Sequence, residues 1–348
     1  MSGPAGRFAG GLLRAALWLD AGFLLLVTLI ALFAVGPASA GLAAAGGAGL
    51  VAAGRALRRM PAARADRIFW VCYGLFVLLA GWFAFAVRVE PAWDFGRVYH
   101  GALEITTAGR IQIDAVYFLE SNNNFFLALM LAPVFVAGSL AGLSPLSSGI
   151  LLNLASIDLS VLLLWALARR RFGPRSGLAA GLAACGCAGL WLYGPIFYTD
   201  TLSMPFVCLG LFLASEWARS PRRPLWRMLA AGLCAFFAFR IKPTALIPFV
   251  ALLLWWLFSG AAGRRRVLAG VALFAACMLG WQIWLPVNPI LDMTDLDRYR
   301  LPPLHYVMMG LKNPGGYDEA DHMASRALPD AAARTARAKE QIAARLKA

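Results

Sequence analysis

Apolar runs of helix length alternate with short polar stretches along nearly the whole chain. A window of about 20 residues, the length that spans a bilayer, picks out runs at 15–36, 40–54, 68–88, 124–143, 147–168, 177–195, 203–218, 226–241, 243–258 and 267–286. The polar stretches are of two kinds. One kind is arginine-rich: Arg55, Arg58, Arg59, Arg64 and Arg67; Arg169 to Arg171 with Arg175; Arg219, Arg222, Arg223 and Arg227; Arg264 to Arg266. The other kind, at 89–123, 193–202 and 287–323, carries all three histidines and most of the acids.

Parity of the runs separates the two kinds. Basic loops face the cytoplasm under the positive-inside rule, which places 89–123, 193–202 and 287–323 on the opposite, outer face. One conflict remains: Asp94 outside and Arg169 inside require an odd number of crossings, yet 124–168 reads as two spans. One of the two therefore fails to cross, and "LSPLSSG" at 143–149 is the expected break of a re-entrant or broken helix.

Composition agrees with a polytopic membrane protein: of 348 residues 60% are apolar and only 14% charged. The net charge of +14 lies in the loop clusters, so it argues for membrane orientation and against a nucleic-acid partner. The first run is long enough to act as an anchor and is not a cleaved leader. The six cysteines all fall inside apolar runs, and Cys185 with Cys187 lacks the CxxC spacing, so no disulfide is implied. The expected fold is all-α, a bundle of about nine or ten transmembrane helices with an outer juxtamembrane helix. Its domains are a membrane domain over 1–286, an outer segment over 287–328 and a basic amphipathic tail over 329–348.

The outer stretches hold the candidate chemistry. After Asp94, the residues Phe95, Val98, Tyr99, Ala102 and Ile105 recur at helical spacing opposite Arg97, His100 and Glu104, which predicts a helix on the membrane surface. Asp94 and Asp200, the latter in "YTDT", are both placed to cap a helix, or else to serve as general base or metal ligand of an outer active site. Arg240 and Lys242 in "FRIKPTALIP" stand at an outer helix end against the charge rule; they suit a phosphate, or else snorkel. Arg97 is a further phosphate candidate. The amides of Asn122, Asn123 and Asn124 suit sugar hydroxyls, or else begin a helix. Asp20, Asp158 and Glu216 lie within or near spans, where ionisable groups mark function by default.

Taken together, "WDF" (93–95), "YTD" (198–200), "YFLESNNNFFLALML" (117–131) and "LHYVMMGLKNPGGYDEAD" (304–321) resemble the GT-C superfamily of integral-membrane glycosyltransferases. They are similar to bacterial family-39-like and exosortase-associated members, over roughly residues 68–348. That resemblance implies a polyprenyl-phosphate sugar donor, an envelope glycan, lipid or protein acceptor, and transfer outside the bacterial cell membrane. It implies Asp94 and Asp200 as catalytic acids, which would also be the ligands of a divalent cation such as Mg or Mn. Arg240, Lys242 and Arg97 would hold the donor phosphate, and His100, Asn122, Asn123, Asn124, His305 and Tyr317 the sugar or acceptor. Superfamily members usually continue through more spans, so the polar tail implies a shortened chain or a partner subunit. Two rival readings stay open: a transporter or flippase using Asp158, and a non-catalytic envelope-assembly subunit.

Overall fold

The computed structural model describes residues 57, 59–218, 224–259, 264–312 and 315–347. The runs at 15–36 and 40–54, with Asp20, Arg55, Arg58, Arg219, Arg222 and Arg223, lie outside the described residues, as do the side chains of Glu216 and Arg264. What is described is helical, with no strand among the described residues.

The helices are α1 (Ala62–Val87), α2 (Trp93–Ala108), α3 (Ala115–Glu120), α4 (Asn122–Leu140), α5 (Pro145–Phe172), α6 (Pro174–Cys185), α7 (Ala188–Leu192), α8 (Thr199–Ala218) and α9 (Trp226–Ile241). A 3₁₀ turn over Pro243–Leu246 leads into α10 (Ile247–Ser259), followed by α11 (Arg264–Trp284), α12 (Leu296–Tyr299), α13 (Pro303–Gly310), α14 (Glu319–Arg326) and α15 (Ala331–Arg345). By length and apolar composition α1, α4, α5 and α11 could each cross a membrane, and α8 and α10 are shorter apolar helices. The protein is thus an integral, multi-pass membrane protein.

Contacts sort the helix ends into two sets. At the basic end, the Arg169 guanidinium grips Asp66 through two bonds of 2.7 Å, Trp165 stacks on Phe69 at 4.3 Å, and Arg170 lies over Phe212. Arg175 Nε donates to the Met60 carbonyl. At the other end, Phe95, Tyr99 and Phe197 meet edge to face.

α4 resolves the parity conflict. Its first turn reaches Tyr198, Arg240 and Trp281, all at the end opposite the basic clusters. Its later turns reach Tyr99 and Phe197 through Phe135 and Ser148 through Gly138. Both termini of α4 therefore sit at one end, and the helix lies across the bundle beside α2 instead of crossing it. Residues 124–168 make one crossing, by α5.

The chain parts at 141–144, overlapping the expected break at 143–149: α4 ends at Leu140 and α5 begins at Pro145. Ser144 caps α5, accepting the Ser147 N–H at 3.2 Å, and α5 then runs unbroken to Phe172. A second interruption lies within 174–198, where α6 stops at Gly186 and Cys187 before α7. Asn153 on α5, fully buried, donates to the carbonyls of Tyr193, Gly194 and Ile196 at 2.6–3.3 Å, groups that this broken segment leaves without helical partners. Asn153→Leu is expected to strand the Gly194 and Ile196 carbonyls, Tyr193 keeping the Ile196 N–H, and to destabilise the fold by about 1–3 kcal/mol; a thermal melt in detergent that matches wild type would contradict this.

The last segment is a docked unit. Arg334 of α15, almost fully buried, donates to the backbone carbonyls of Ser325, Leu328, Asp297, Arg298 and Arg300. Met308, Met309 and Ala338 form a small core, and Arg345 pairs with Asp321. Residues 329–347, separated as a tail in sequence, thus fold onto 287–328, because the apolar face of α15 has α13 to cover it.

Candidate functional site

The site lies at the end opposite the arginine clusters and begins with an abrupt entry into α2. Pro91 and Ala92 run extended, Trp93 takes φ +54° with its side chain almost fully exposed, and the helix starts. A left-handed φ at a bulky residue is unfavourable by about 1–2 kcal/mol; here it turns Asp94 outward. The carboxylate of Asp94 makes no cap bond, the N-cap position being Ala92. As the periodicity predicts, Phe95, Val98 and Ala102 are buried while Arg97 and His100 are exposed.

Asp94 stands beside a hydrogen-bonded cluster. It lies near the phenols of Tyr198 and Tyr117, which a shared amide ties together. The Asn124 amide, almost completely buried, donates to Tyr117 at 2.5 Å and to Tyr198 at 3.1 Å. Asn123 donates to Asn124 Oδ1 at 3.0 Å. Burial pushes the Tyr198 phenol up to about 12, with Asp94 adding to the effect, and pushes Tyr117 well above the ordinary tyrosine range. Both phenols hold their protons at neutral pH, so two neutral hydroxyls stand near Asp94.

Two residues before Asn124, at the start of α4, Asn122 Oδ1 accepts from Arg240 Nη2 at 3.2 Å. Arg240 is 8% exposed and lies over the rings of Trp281 at 4.6 Å and Phe126 at 5.8 Å. Its Nε has no hydrogen-bond partner, and among the described residues no carboxylate pairs with it. Lys242, two residues further at the end of α9, pairs with Asp200, which is half-exposed in the first turn of α8.

The other expected residues are placed differently. Arg97 is held by the buried Asp114, away from Arg240. His100 is exposed, with its ring edge against Tyr99. His305 is 1% exposed and its Nδ1 lies 2.9 Å from Ser325 Oγ, so it braces the outer segment and offers no surface to a sugar. Tyr317 is exposed, 5.6 Å from His322. For the divalent cation the donor set is lacking: the Asp200 carboxylate is paired with Lys242, and among the described residues no three His, Cys, Asp or Glu side chains gather. No step below is routed through a metal.

Sequence reading missed Tyr117, Tyr198 and Glu120, although all three stand in the quoted stretches. Glu120, its side chain nine-tenths buried, pairs with Arg326 at 2.7 Å. Burial raises its carboxyl above the usual range, and Arg326 opposes that.

His305 and His322 are both held below the ordinary imidazole range. Burial dominates for each; His322, Arg334 and Arg337 add to it at His305 while Asp321 opposes, and Arg326 adds to it at His322 while Glu319 opposes. A depressed histidine binds fewer protons folded than unfolded, so stability is lost as pH falls through the unfolded value of about 6.5. Docking of 287–347 should therefore loosen on acidification. Hydrogen exchange of α13 and α14, corrected for intrinsic rates, should rise below about pH 6.5, and the rise should shrink in a His305→Gln, His322→Gln double variant. Exchange indifferent to pH would refute this.

A helical multi-pass bundle with an exposed acid and a buried guanidinium that no carboxylate neutralises among the described residues defines an integral membrane protein with a polar site at the bilayer boundary. A family model described as conserved hypothetical integral membrane protein matches residues 57–348, and the chain belongs to that family. No curated protein and no solved structure matches the chain.

Proposed function

We propose that the protein is a membrane glycosyltransferase of the GT-C kind. It would move a sugar from a polyprenyl phosphate to an envelope acceptor at the outer face of a bacterial cell membrane. Sidedness follows from the arginine clusters, which assign the basic end to the cytoplasm. The observation that carries the reading is Arg240. A guanidinium that is nine-tenths buried with no carboxylate beside it is costly; the anionic phosphodiester of the donor supplies the missing counter-charge through paired N–H donors, and the second negative charge of the departing phosphate strengthens the contact. Lys242 adds a second cation at the same helix end.

The acid and the anion pocket are joined through α4: Asn122 touches Arg240, and Asn124 holds the two phenols that lie near Asp94. In the proposed reaction Asp94 takes the proton of an acceptor hydroxyl as that oxygen bonds to the anomeric carbon. The bond from that carbon to the phosphate oxygen breaks, and Arg240 and Lys242 receive the leaving phosphate. A single displacement inverts the anomeric configuration; a product with retained configuration would contradict it.

The direct test is sugar transfer from radiolabelled polyprenyl-phosphate sugars in membranes containing wild type or Arg240→Gln at matched expression. Loss of a charged contact of roughly 1.5–3 kcal/mol should raise the donor KM by about ten- to a hundredfold. One observation favours a second reading, a lipid or sugar transporter. Asp158 lies midway along α5, and its Oδ1 is buried without a hydrogen-bond partner, as a group lining a path through the bilayer would be. Absence of transfer by wild type with any donor, together with loss of transport in Asp158→Asn, would replace the first reading by the second.

A further inference from the structure

α10 and α11 follow one another in the chain but stand apart. α9 packs closely on α8 and α11, whereas among the described residues the backbones of α10 and α11 barely approach each other. Two glycines explain the gap. Gly232 lets the backbone of α9 touch that of α11 at Gly270, and Gly210 lets the Phe249 ring of α10 settle on α8, so α11 is drawn one way and α10 the other. A cavity of about 220 Å³ is left between these four helices. No charged side chain among the described residues lines it, and carbon-lined cavities of even ~150 Å³ stay dry and take apolar guests. One side is open: Val250 and Trp255 of α10 and Val271 of α11 border the cavity and are 41–45% exposed, so the gap between α10 and α11 leads out to the lipid chains.

The cavity sits in the half of the bundle nearer the arginine clusters. The α9 and α11 residues around it come from the first half of each helix, and both helices start at the basic end. Met228, Trp256 and Val267 pack together as its floor on that side. A Cβ on Gly270 would meet the Met228 carbonyl oxygen at 2.6 Å, so α9 and α11 begin side by side. Arg227, next to Met228, and Arg265 and Arg266, about one turn before Gly270, therefore gather along one rim just beyond the floor. Trp226 stands with them, 54% exposed, with the Arg227 guanidinium 5.5 Å from its ring, as an indole at a membrane boundary does.

We propose that this cavity binds an acyl chain of an anionic phospholipid from the cytoplasmic leaflet, whose headgroup phosphate rests on Arg227, Arg265 and Arg266. A hydrocarbon chain matches the carbon walls and reaches them sideways through the gap between α10 and α11. The basic rim selects a negative headgroup, and basic pockets between membrane helices on the cytoplasmic side bind such lipids. A polyprenyl phosphate held at Arg240 is a poorer occupant. Arg240 lies thirteen residues along α9 from Arg227, about 20 Å away, so the rim arginines would be left without the phosphate. The bound chain fills the space that separates α10 from the rest of the bundle. It belongs to the end opposite Asp94, and it stands whether or not the protein transfers sugar.

Native mass spectrometry of the full chain in detergent reads both halves of the site. The protein is mixed with equimolar phosphatidylglycerol and phosphatidylethanolamine of the same acyl chains, and in a second arm with phosphatidylglycerol and a polyprenyl phosphate. Wild type should retain phosphatidylglycerol in preference to phosphatidylethanolamine by roughly tenfold. Val271→Trp, which places a ring in the opening, should retain about tenfold less of either lipid. An Arg265→Gln, Arg266→Gln double variant should retain the two lipids equally, and the corresponding double lysine variant should keep the preference. Because Arg265 is exposed, the arginine variants test the headgroup even where Val271→Trp fails to fold. Retention of no lipid by wild type, equal retention by wild type and a folded Val271→Trp, or no preference between the two headgroups would overturn the site. Displacement of phosphatidylglycerol by polyprenyl phosphate would assign the cavity to a prenyl chain and overturn it equally.

Discussion

Asp94→Asn is expected to lower turnover by about 10²–10⁴-fold, the contribution a positioned general base makes, with the donor KM near its wild-type value. The substitution keeps the shape but removes the ability to take a proton. Its structural side effects should be small. Asp94 is exposed, makes no cap bond and lies in no ion pair, so the fold loses only the interaction of an acid with the α2 dipole, about 0.3–1 kcal/mol. Tyr198→Phe gives the graded comparison: the ring that fills the site stays, while the hydroxyl that lies near the carboxylate goes. It should lose turnover by roughly tenfold, far less than loss of the base itself. The measurement is initial rate against donor and acceptor concentration, with circular dichroism and thermal melts as controls. Equal rates for wild type and Asp94→Asn would reduce Asp94 to an acid in a first helical turn.

Span positions were legible because bilayer thickness sets a length that no soluble helix pattern mimics, and α1, α5, α8, α9, α10 and α11 fall where the apolar runs do. Crossing is a different property. A 19-residue apolar helix such as α4 has the same composition whether it crosses or lies across one end of the bundle, and contacts alone decide. Charge parity located the conflict, and the expected break at 143–149 overlaps the turn at 141–144 that ends α4, with Pro145 already opening α5 at the first-turn position where proline fits. A second break, at Gly186 and Cys187, is hidden by averaging over an apolar window. The site divides in the same way. That Asp94, Asp200, Arg240 and Lys242 share one end followed from parity. That Arg97 is held by Asp114 and Lys242 by Asp200 depends on distances across the fold that spacing does not encode. Glu120 went unassigned because its partner Arg326 is far along the chain. His305 was read as a surface ligand because nothing local shows that α15 folds back to bury it.

Gly232→Ala should damage both the fold and the donor site, because the whole approach of α9 to α11 depends on the missing side chain. A Cβ at Gly232 would lie 2.2 Å from the Gly270 carbonyl oxygen and 2.9 Å from its carbon, and backbone cannot swing aside as a side chain can. The reverse holds too, a Cβ at Gly270 meeting the Met228 carbonyl oxygen at 2.6 Å. Small residues that let helix backbones touch are the usual basis of helix association in lipid. Forcing them apart belongs with overpacking, at about 1–3 kcal/mol, and should lower the melting temperature by several degrees, roughly 5 °C. Further toward the site end the same pair of helices carries Arg240 on α9 and Trp281 on α11, whose ring lies 4.6 Å from the guanidinium. Separation at Gly232 tilts the two helices and withdraws the ring, so the donor KM should rise along with the loss of stability. Gly81→Ala on α1 is the contrasting case: nothing lies within 4 Å of its Cβ, and alanine favours the helix by about 1 kcal/mol. That variant should melt at or above wild type with unchanged donor KM. Two glycine variants that melt and bind alike would show that the contact between α9 and α11 does not set the geometry of Arg240.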